Sequence, residues 1–332
     1  MLKTNVKNQS VKFLKSRKGK RMLFYVLVCL LPVIQFCIFT FYVNFNSIKM
    51  AFETYNYASA SNNNFGVDGI VKSFAGFKNF KIAWQTLIER NYMFKNSLWL
   101  FISNIVITIP LALIFSFYLC KKCMFSGFFK VILYMPNIVS PMIFALLFQR
   151  VINLVYPEIM EQWFGKTISG SGLLVTGNNP SYGIVLFFNI WVSFGVNVLM
   201  FSGAMSGINA SVIESSHLDG ANLVQEFWYI TLPMIFSTVS TFIILAMAGI
   251  FTNQMHLFTF FSGEITGLET LGYYIYLTAQ KTDYVVSEAL ATKFAFLSYP
   301  QLAALGLLLT CIIAPITFLT RKLFDKYGPS ED

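Results

Sequence analysis

Acidic residues are scarce in this chain, with 15 Asp and Glu against 24 Lys and Arg in 332 residues, and charged residues make up only 12% of it. With 56% hydrophobic residues, 36 Phe among them, that shortage excludes an ordinary soluble domain and marks an integral membrane protein. Histidine is nearly absent: His217 and His256 stand apart from any Cys or acid cluster at ligand spacing, so no metal site is expected. The five cysteines, Cys29, Cys37, Cys120, Cys123 and Cys311, lie within apolar runs or beside Lys121 and Lys122, and none is placed for an extracytoplasmic disulfide. Cys120 and Cys123 form a C-x-x-C without the second pair that zinc requires, so both are expected as reduced thiols. No G-x-x-x-x-G-K-[ST] phosphate loop is present, nor a nucleophile, base and orienting acid at a recognisable spacing. The chain is therefore not expected to be an enzyme. It also lacks repeats and low-complexity tracts, and the turn-forming SASNNNFG and SGSG do not delimit a second domain.

What is abundant is apolar sequence in long runs. Six stretches reach the 20 or so residues that a bilayer core demands: Leu23 to Phe45, Ser97 to Leu119, Phe125 to Phe148, Ser181 to Ser202, Met234 to Phe261 and Tyr299 to Leu319. None contains Asp or Glu. The net charge of +9 does not form a nucleic-acid surface, because the basic residues cluster at the amino end, from Lys3 to Arg21, without an acid among them. That cluster reads as a cytoplasmic anchor before an uncleaved first span, since the apolar run is too long for a signal peptide and has no small-residue cleavage site behind it. Six spans return the carboxyl end to the same side, where Lys121, Lys122, Arg321, Lys322 and Lys326 also fall. The expected fold is all-α, with both termini cytoplasmic: a basic segment 1–22, a transmembrane domain 23–320 and a tail 321–332. Ile48 to Lys95, Arg150 to Pro180 and Ser262 to Ser298 are expected as solvated outer loops.

Between the fourth and fifth spans lies ESSHLDGANLVQEFWYITLP, Glu214 to Pro233, with three acids and no Lys or Arg. Ser211 and Glu214 have capping-box spacing for a short helix. Asp219-Gly220 then breaks it, and Asn222 with Gln225 caps a second helix carrying Leu223, Phe227 and Ile230 on one face. Thr231 and Pro233 suit the start of the fifth span. A membrane-surface elbow is the bland reading, but a segment resting on an anionic leaflet would carry basic residues, so docking into another protein fits better.

The spacing of Glu214-Ser-Ser, Asp219-Gly220-Ala221, Phe227, Ile230 and Leu232-Pro233 resembles the EAA loop of membrane subunits of binding-protein-dependent ABC importers, whose transmembrane domain is MetI-like. FAGFKNF at Phe74 to Phe80, YMPNIVSPMIFALLFQ from Tyr134 and NIWVSFG from Asn189 are similar to the sugar-importing, maltose-type branch. Ser215 and Ser216 stand where the family prefers Ala, and its Gly-Gly-Pro after the fifth span is missing. The resemblance implies that the loop, 208–233, seats in a cytoplasmic ATPase, with Glu214, Ser215, Asp219, Gly220, Ala221 and Phe227 as coupling residues. It implies that ATP and Mg are bound by that ATPase dimer rather than by this chain. It further implies a second, homologous permease subunit and an extracytoplasmic sugar-binding lipoprotein.

Polar residues inside spans face a bundle interior or a cavity. Asn189, Ser193 and Asn197 repeat at i, i+4 and i+8 along the fourth span. By the resemblance, Asn189, Val192, Ser193 and Asn253 occupy positions that touch cargo. Interhelical hydrogen bonding is the alternative role, and for Asn104 and Asn137 packing is the favoured one. Trp191 is expected to be structural. An ion-coupled secondary transporter is disfavoured by the acid-free spans, and a membrane scaffold by the doubly capped bend. The same lack of intramembrane acids favours a neutral sugar or oligosaccharide, although Arg150 leaves a sugar phosphate open.

Overall fold

The computed structural model describes residues 17–57, 70–121, 124–165, 175–176, 179–261, 267–280 and 297–329. Lys3 to Lys15, both expected turns, Lys122, Cys123 and the last three residues lie outside them. Helices can cross a bilayer because each satisfies its own backbone amides, and among the described residues five are long and apolar enough to do so. The first, α1, runs through Arg17–Phe36, a π-helical segment Cys37–Tyr42 and Val43–Ala51. Antiparallel strands β1 (Glu53–Tyr57) and β2 (Ile70–Phe74) follow, then the amphipathic α2 (Lys78–Glu89). Asn79 of FAGFKNF is buried and donates to the Ala51 and Glu53 carbonyls, both at 2.9 Å, which fixes the hairpin on α1.

The remaining elements are α3 (Asn91–Cys120, π-helical over Asn104–Thr108), α4 (Ser126–Ile138), α5 (Pro141–Phe164), a short pairing of β3 (Val175–Thr176) with β4 (Asn179–Pro180), and α6 (Tyr182–Ser206). Beyond α6 come α7 (Ala210–Leu218), α8 (Leu223–Met234), α9 (Phe236–Ala248), α10 (Leu257–Phe260), α11 (Leu271–Gln280) and α12 (Tyr299–Tyr327). α8 and α9 meet at 69°, and counted as one bent span they bring the total to six.

Four of the expected spans fall as read, and two are corrected. The third does not run from 125 to 148: the helix stops at Ile138 and restarts at Pro141, with Val139 and Ser140 extended. Pro141 favours this break, because its ring disfavours helical geometry at Ser140. The restarted helix continues past Arg150 to Phe164, through residues expected as outer loop. The fifth span ends at Ala248 rather than Phe261, and beyond it Met255 and His256 take positive φ, which a helix cannot continue through. Ser262 to Ser298 is not all solvated loop either. Its apolar run LGYYIYL folds as α11, which buries Leu271, Tyr273, Tyr274 and Leu277 and is too short to span.

Among the described residues three apolar clusters form, and two of them mark opposite ends of the bundle. At the hairpin end Phe148, Phe188, Phe260 and Tyr273 pack together, and at the opposite end Phe194, Phe201, Phe227 and Ile235 do so. α3 and α6 approach closely through small polar side chains: Ser116 Oγ donates to the Val198 carbonyl at 2.9 Å, and the Cys120 thiol to Ser202 at 3.3 Å. Within a membrane such bonds contribute about 1 kcal/mol each.

Candidate functional site

Local chemistry fixes the elbow first. α7 begins two residues before the expected cap: Asn209 Oδ1 accepts from Ser211 N at 3.1 Å, so Ser211 is already helical and forms no capping box with Glu214. Asn209 wins because its extended backbone and side-chain carbonyl satisfy a free amide two residues earlier. The helix ends in a Schellman turn, with Ala221 N bonded to the Ser216 carbonyl and Gly220 N to that of His217. Gly220 sits at φ +82°, where any side chain would be strained. The Asn222–Gln225 capping box is reciprocal, at 2.8 and 2.9 Å. Thr231 and Pro233 do not start the fifth span. Both lie inside α8, where the π-helical Phe227–Thr231 accommodates the amide that Pro233 lacks, and the bend falls at Ile235.

This geometry sorts the expected coupling residues by exposure. Glu214, Ser215, Asp219 and Gly220 are exposed, Ala221 is half-buried, and Phe227 is buried edge-on against Phe117 at 5.2 Å. Leu223 does not share Phe227's burial. It is exposed, as are Leu218, Val224, Trp228 and Tyr229 of the same segment, with Leu218 at 89% exposure.

Sequence reasoning passed over Glu226, the third acid of the elbow. Its carboxylate is only 1% exposed. Lys121 at the end of α3 donates to Oε2 at 2.6 Å, and His217 Nε2 of α7 lies 3.0 Å from the same oxygen. Lys121 Nζ also sits over the Phe117 ring, at 5.5 Å. No spacing signal announces this cluster, because Lys121 is 105 residues away in sequence.

Deeper in the bundle, two cavities share the walls Asn104, Leu245 and Ala246. One, of about 310 Å³, adds Ser97, Thr252 and Asn253, and the other, of about 370 Å³, adds Asn137, Val192, Ser193 and Asn197. The structure thus brings together Val192, Ser193 and Asn197, and sets Asn253 in the adjoining space. Asn189 is buried and lines neither. Asn104 and Asn137, expected as packing groups, are on the walls, although Asn137 Nδ2 also donates to the Val192 carbonyl at 3.1 Å. Asn104 opens the π-helical segment of α3, a kind of distortion that recurs at functional sites. Trp191 packs edge-on against Phe144 at 5.1 Å, as a structural residue would. The walls of both cavities carry amides and hydroxyls but no charged side chain.

The turn bearing Asn253 is held from the hairpin end. Asn253 Oδ1 accepts from Met255 N and its carbonyl accepts from Thr270 Oγ1, both at 2.9 Å. Gly272 of α11 packs so tightly on this turn that a Cβ would stand 2.6 Å from the Thr252 carbonyl. Burial first, and the charge of Glu269 second, push the Tyr273 hydroxyl of α11 up to about 12, so it stays a neutral donor. Among the described residues no cluster of His, Cys, Asp and Glu could hold a metal ion.

The chain resembles known permeases in sequence and in fold. The chain is 24% identical over 257 residues to the multiple sugar-binding transport system permease protein MsmF of Streptococcus mutans, covering 76% of this chain and 82% of that one. It is 26% identical over 267 residues to the osmoprotective compounds uptake permease protein GgtC of Synechocystis, covering 77% and 88%. In fold it is similar to a chain in the crystal structure of a bacterial ABC transporter involved in the import of the acidic polysaccharide alginate, with a TM-score of 0.69 at 18% identity over 93% of this chain and 98% of that one. The family model for binding-protein-dependent transport system inner membrane components matches residues 122–329, and the chain belongs to that family.

Proposed function

We infer that this chain is one permease subunit of an ATP-driven importer, moving a sugar or oligosaccharide handed over by an extracytoplasmic binding protein. The elbow carries this reading. Its bend is capped on both sides, its segment carries the exposed acids Glu214 and Asp219 without Lys or Arg, and Leu218, Leu223 and Val224 of the same segment are exposed. A surface of that kind suits a protein partner with a basic cleft, here a cytoplasmic ATPase dimer that binds ATP and Mg and supplies the power.

Several observations support the topology. Lys121 lies against the elbow, and Phe324 near the end of α12 packs on Phe236 at its base, so the basic ends Arg321, Lys322 and Lys326 share the elbow's side. The positive-inside bias then makes that side cytoplasmic, with both termini there. On this reading 1–22 is a cytoplasmic segment, 23–320 the transmembrane domain with its coupling loop at 208–233, and 321–332 a cytoplasmic tail. A second, homologous permease subunit completes the path.

For cargo, the uncharged walls around Asn104, Asn137, Ser193, Asn197 and Asn253 favour a neutral polyhydroxylated solute. The relatives support a sugar: besides MsmF, the arabinooligosaccharides transport system permease protein AraP of Halalkalibacterium halodurans is 26% identical over 205 residues. The similarity to GgtC favours a small neutral osmoprotective solute as the second reading. A detergent pull-down from native membranes with mass spectrometry tests the assembly. Recovery of a second permease, an ATPase and a binding lipoprotein is expected, and recovery of this chain alone would refute it.

A further inference from the structure

Glu226 is out of place on the elbow. Glu214 and Asp219 are exposed, as charged residues on a solvated turn should be, yet Glu226 is 1% exposed and lies beneath the second elbow helix. A buried carboxylate survives only if it is paired, and even then an apolar residue of similar size is often as stable or more so. Stability alone therefore does not account for it. What an ion pair adds over apolar packing is one defined register, and this carboxylate defines three at once. Lys121 approaches it from α3 at 2.6 Å, His217 from α7 at 3.0 Å, and Glu226 itself belongs to α8.

The first elbow helix has few other ties. Along Ala210–Leu218 only Ser216 is buried, and its hydroxyl bonds within the helix to the Ile213 carbonyl at 2.7 Å. His217 is thus the side chain through which α7 reaches the bundle by a polar contact. Its counterpart Lys121 is fixed in turn by the Phe117 ring, which packs on Phe227. We propose that Glu226, held by Lys121 and His217, is a positioning residue that clamps both halves of the elbow to the second span, so that force applied at the exposed face moves α3 as one body with it. The proposal rests on the importer reading above.

The test uses the complete complex isolated from native membranes, with native cysteines replaced by Ser and spin labels at Val212 on α7 and Ile114 on α3, both exposed. Inter-spin distance is measured without nucleotide and after trapping with MgATP and vanadate. The parent should give one population, unchanged by trapping, while a second pair at Ile114 and Leu319 shifts. In Glu226→Gln and Lys121→Met a second population should appear on trapping, displaced by at least one helical turn, about 5 Å. His217→Ala should give a smaller fraction of it, and the exchange Lys121→Glu with Glu226→Lys should restore one population. Single populations in all three variants would overturn the clamp, as would a parent whose Val212–Ile114 distance itself changes. If Glu226→Gln failed to bring down the ATPase while His217→Ala behaved as the parent, the cluster would be a folding contact only, which also overturns it. Absence of any ATPase or MgATP hydrolysis from the parent complex would instead refute the importer reading, and the clamp with it.

Discussion

Replacing Gly272 by Ala sets a methyl carbon 2.6 Å from the Thr252 carbonyl carbon and oxygen and 2.7 Å from the Asn253 carbonyl oxygen. All three contacts are backbone, so no flexible side chain can yield, and α11 or the 252–255 turn must move. Overpacking of a close-packed interior costs about 1–3 kcal/mol, and the rigid neighbours place this case toward the upper end. Displacing the turn also strains the bond from Thr270 Oγ1 to the Asn253 carbonyl, about 1 kcal/mol more. A loss of about 3–4 kcal/mol lowers the folded-to-unfolded ratio some 150- to 900-fold. The assay is the thermal midpoint of the detergent-purified chain, followed by fluorescence-detected size exclusion. Gly306→Ala provides the control of opposite sign. Gly306 lies inside α12 with nothing within 4 Å of a built Cβ, so the substitution should be neutral or stabilising by up to about 1 kcal/mol. If Gly272→Ala melted at or above the wild-type midpoint, the close approach of α11 to the Asn253 turn would be wrong.

Further substitutions separate the elbow from the cavities. Glu214→Lys reverses an exposed acid of the elbow; the complex should assemble in the membrane but lose cargo-stimulated ATP hydrolysis, and normal stimulation would remove Glu214 from the coupling face. Asn253→Ala should reduce uptake across a panel of labelled oligosaccharides without loss of assembly, and unchanged uptake would leave Asn253 as the turn former that its bond to Met255 N makes it. Asn222→Ala removes the reciprocal cap of α8 and should destabilise the elbow by about 0.5–2 kcal/mol, read as faster amide exchange over residues 223–226. Exchange as slow as wild type would show that packing of Phe227, not the cap, holds that helix.

Features of short range were legible. The Asn222–Gln225 box, the bend at Gly220 and the apolar runs of spans one, two, four and six depend on residues within a few positions of each other, and the structure has them. The Pro141 break was present in the letters too, but a run of apolar residues from Phe125 to Phe148 masked it, because hydropathy counts composition and not backbone geometry. Features set by distant partners were not legible. The fifth span stops at Ala248 because α11 packs on the turn beyond it, through Gly272 and Thr270, about twenty residues later. Glu226 offered the same difficulty: in sequence it is one more acid on a polar loop, and only the approach of Lys121 makes it buried and paired. Asn209 displaced Ser211 as the cap for a subtler reason, since both spacings satisfy an amide and the choice falls to where α6 ends, at Ser206.

Elbow and cavity lie on one continuous segment, and that connection gives the bend at Ile235 its importance. Ile235 is buried and holds the junction of α8 and α9 within the apolar cluster that also contains Phe227 and Phe201. From there α9 rises 13 residues, about 20 Å, to Leu245, Ala246 and Gly249, which wall the cavities, and the chain then turns at Asn253. If the elbow and α3 move as one body, flexion at Ile235 would carry Asn104 on α3 sideways relative to those walls. A straight fifth helix running to Phe261 could only slide or tilt as a rod. A helix cut short at Ala248 and bent 69° at its base could instead act as a lever whose far end lies at the cavity walls. The two departures from the expected fifth span, the bend at one end and the early stop at the other, therefore belong to one mechanical element. Its fulcrum is apolar and its far end carries the amide of Asn253.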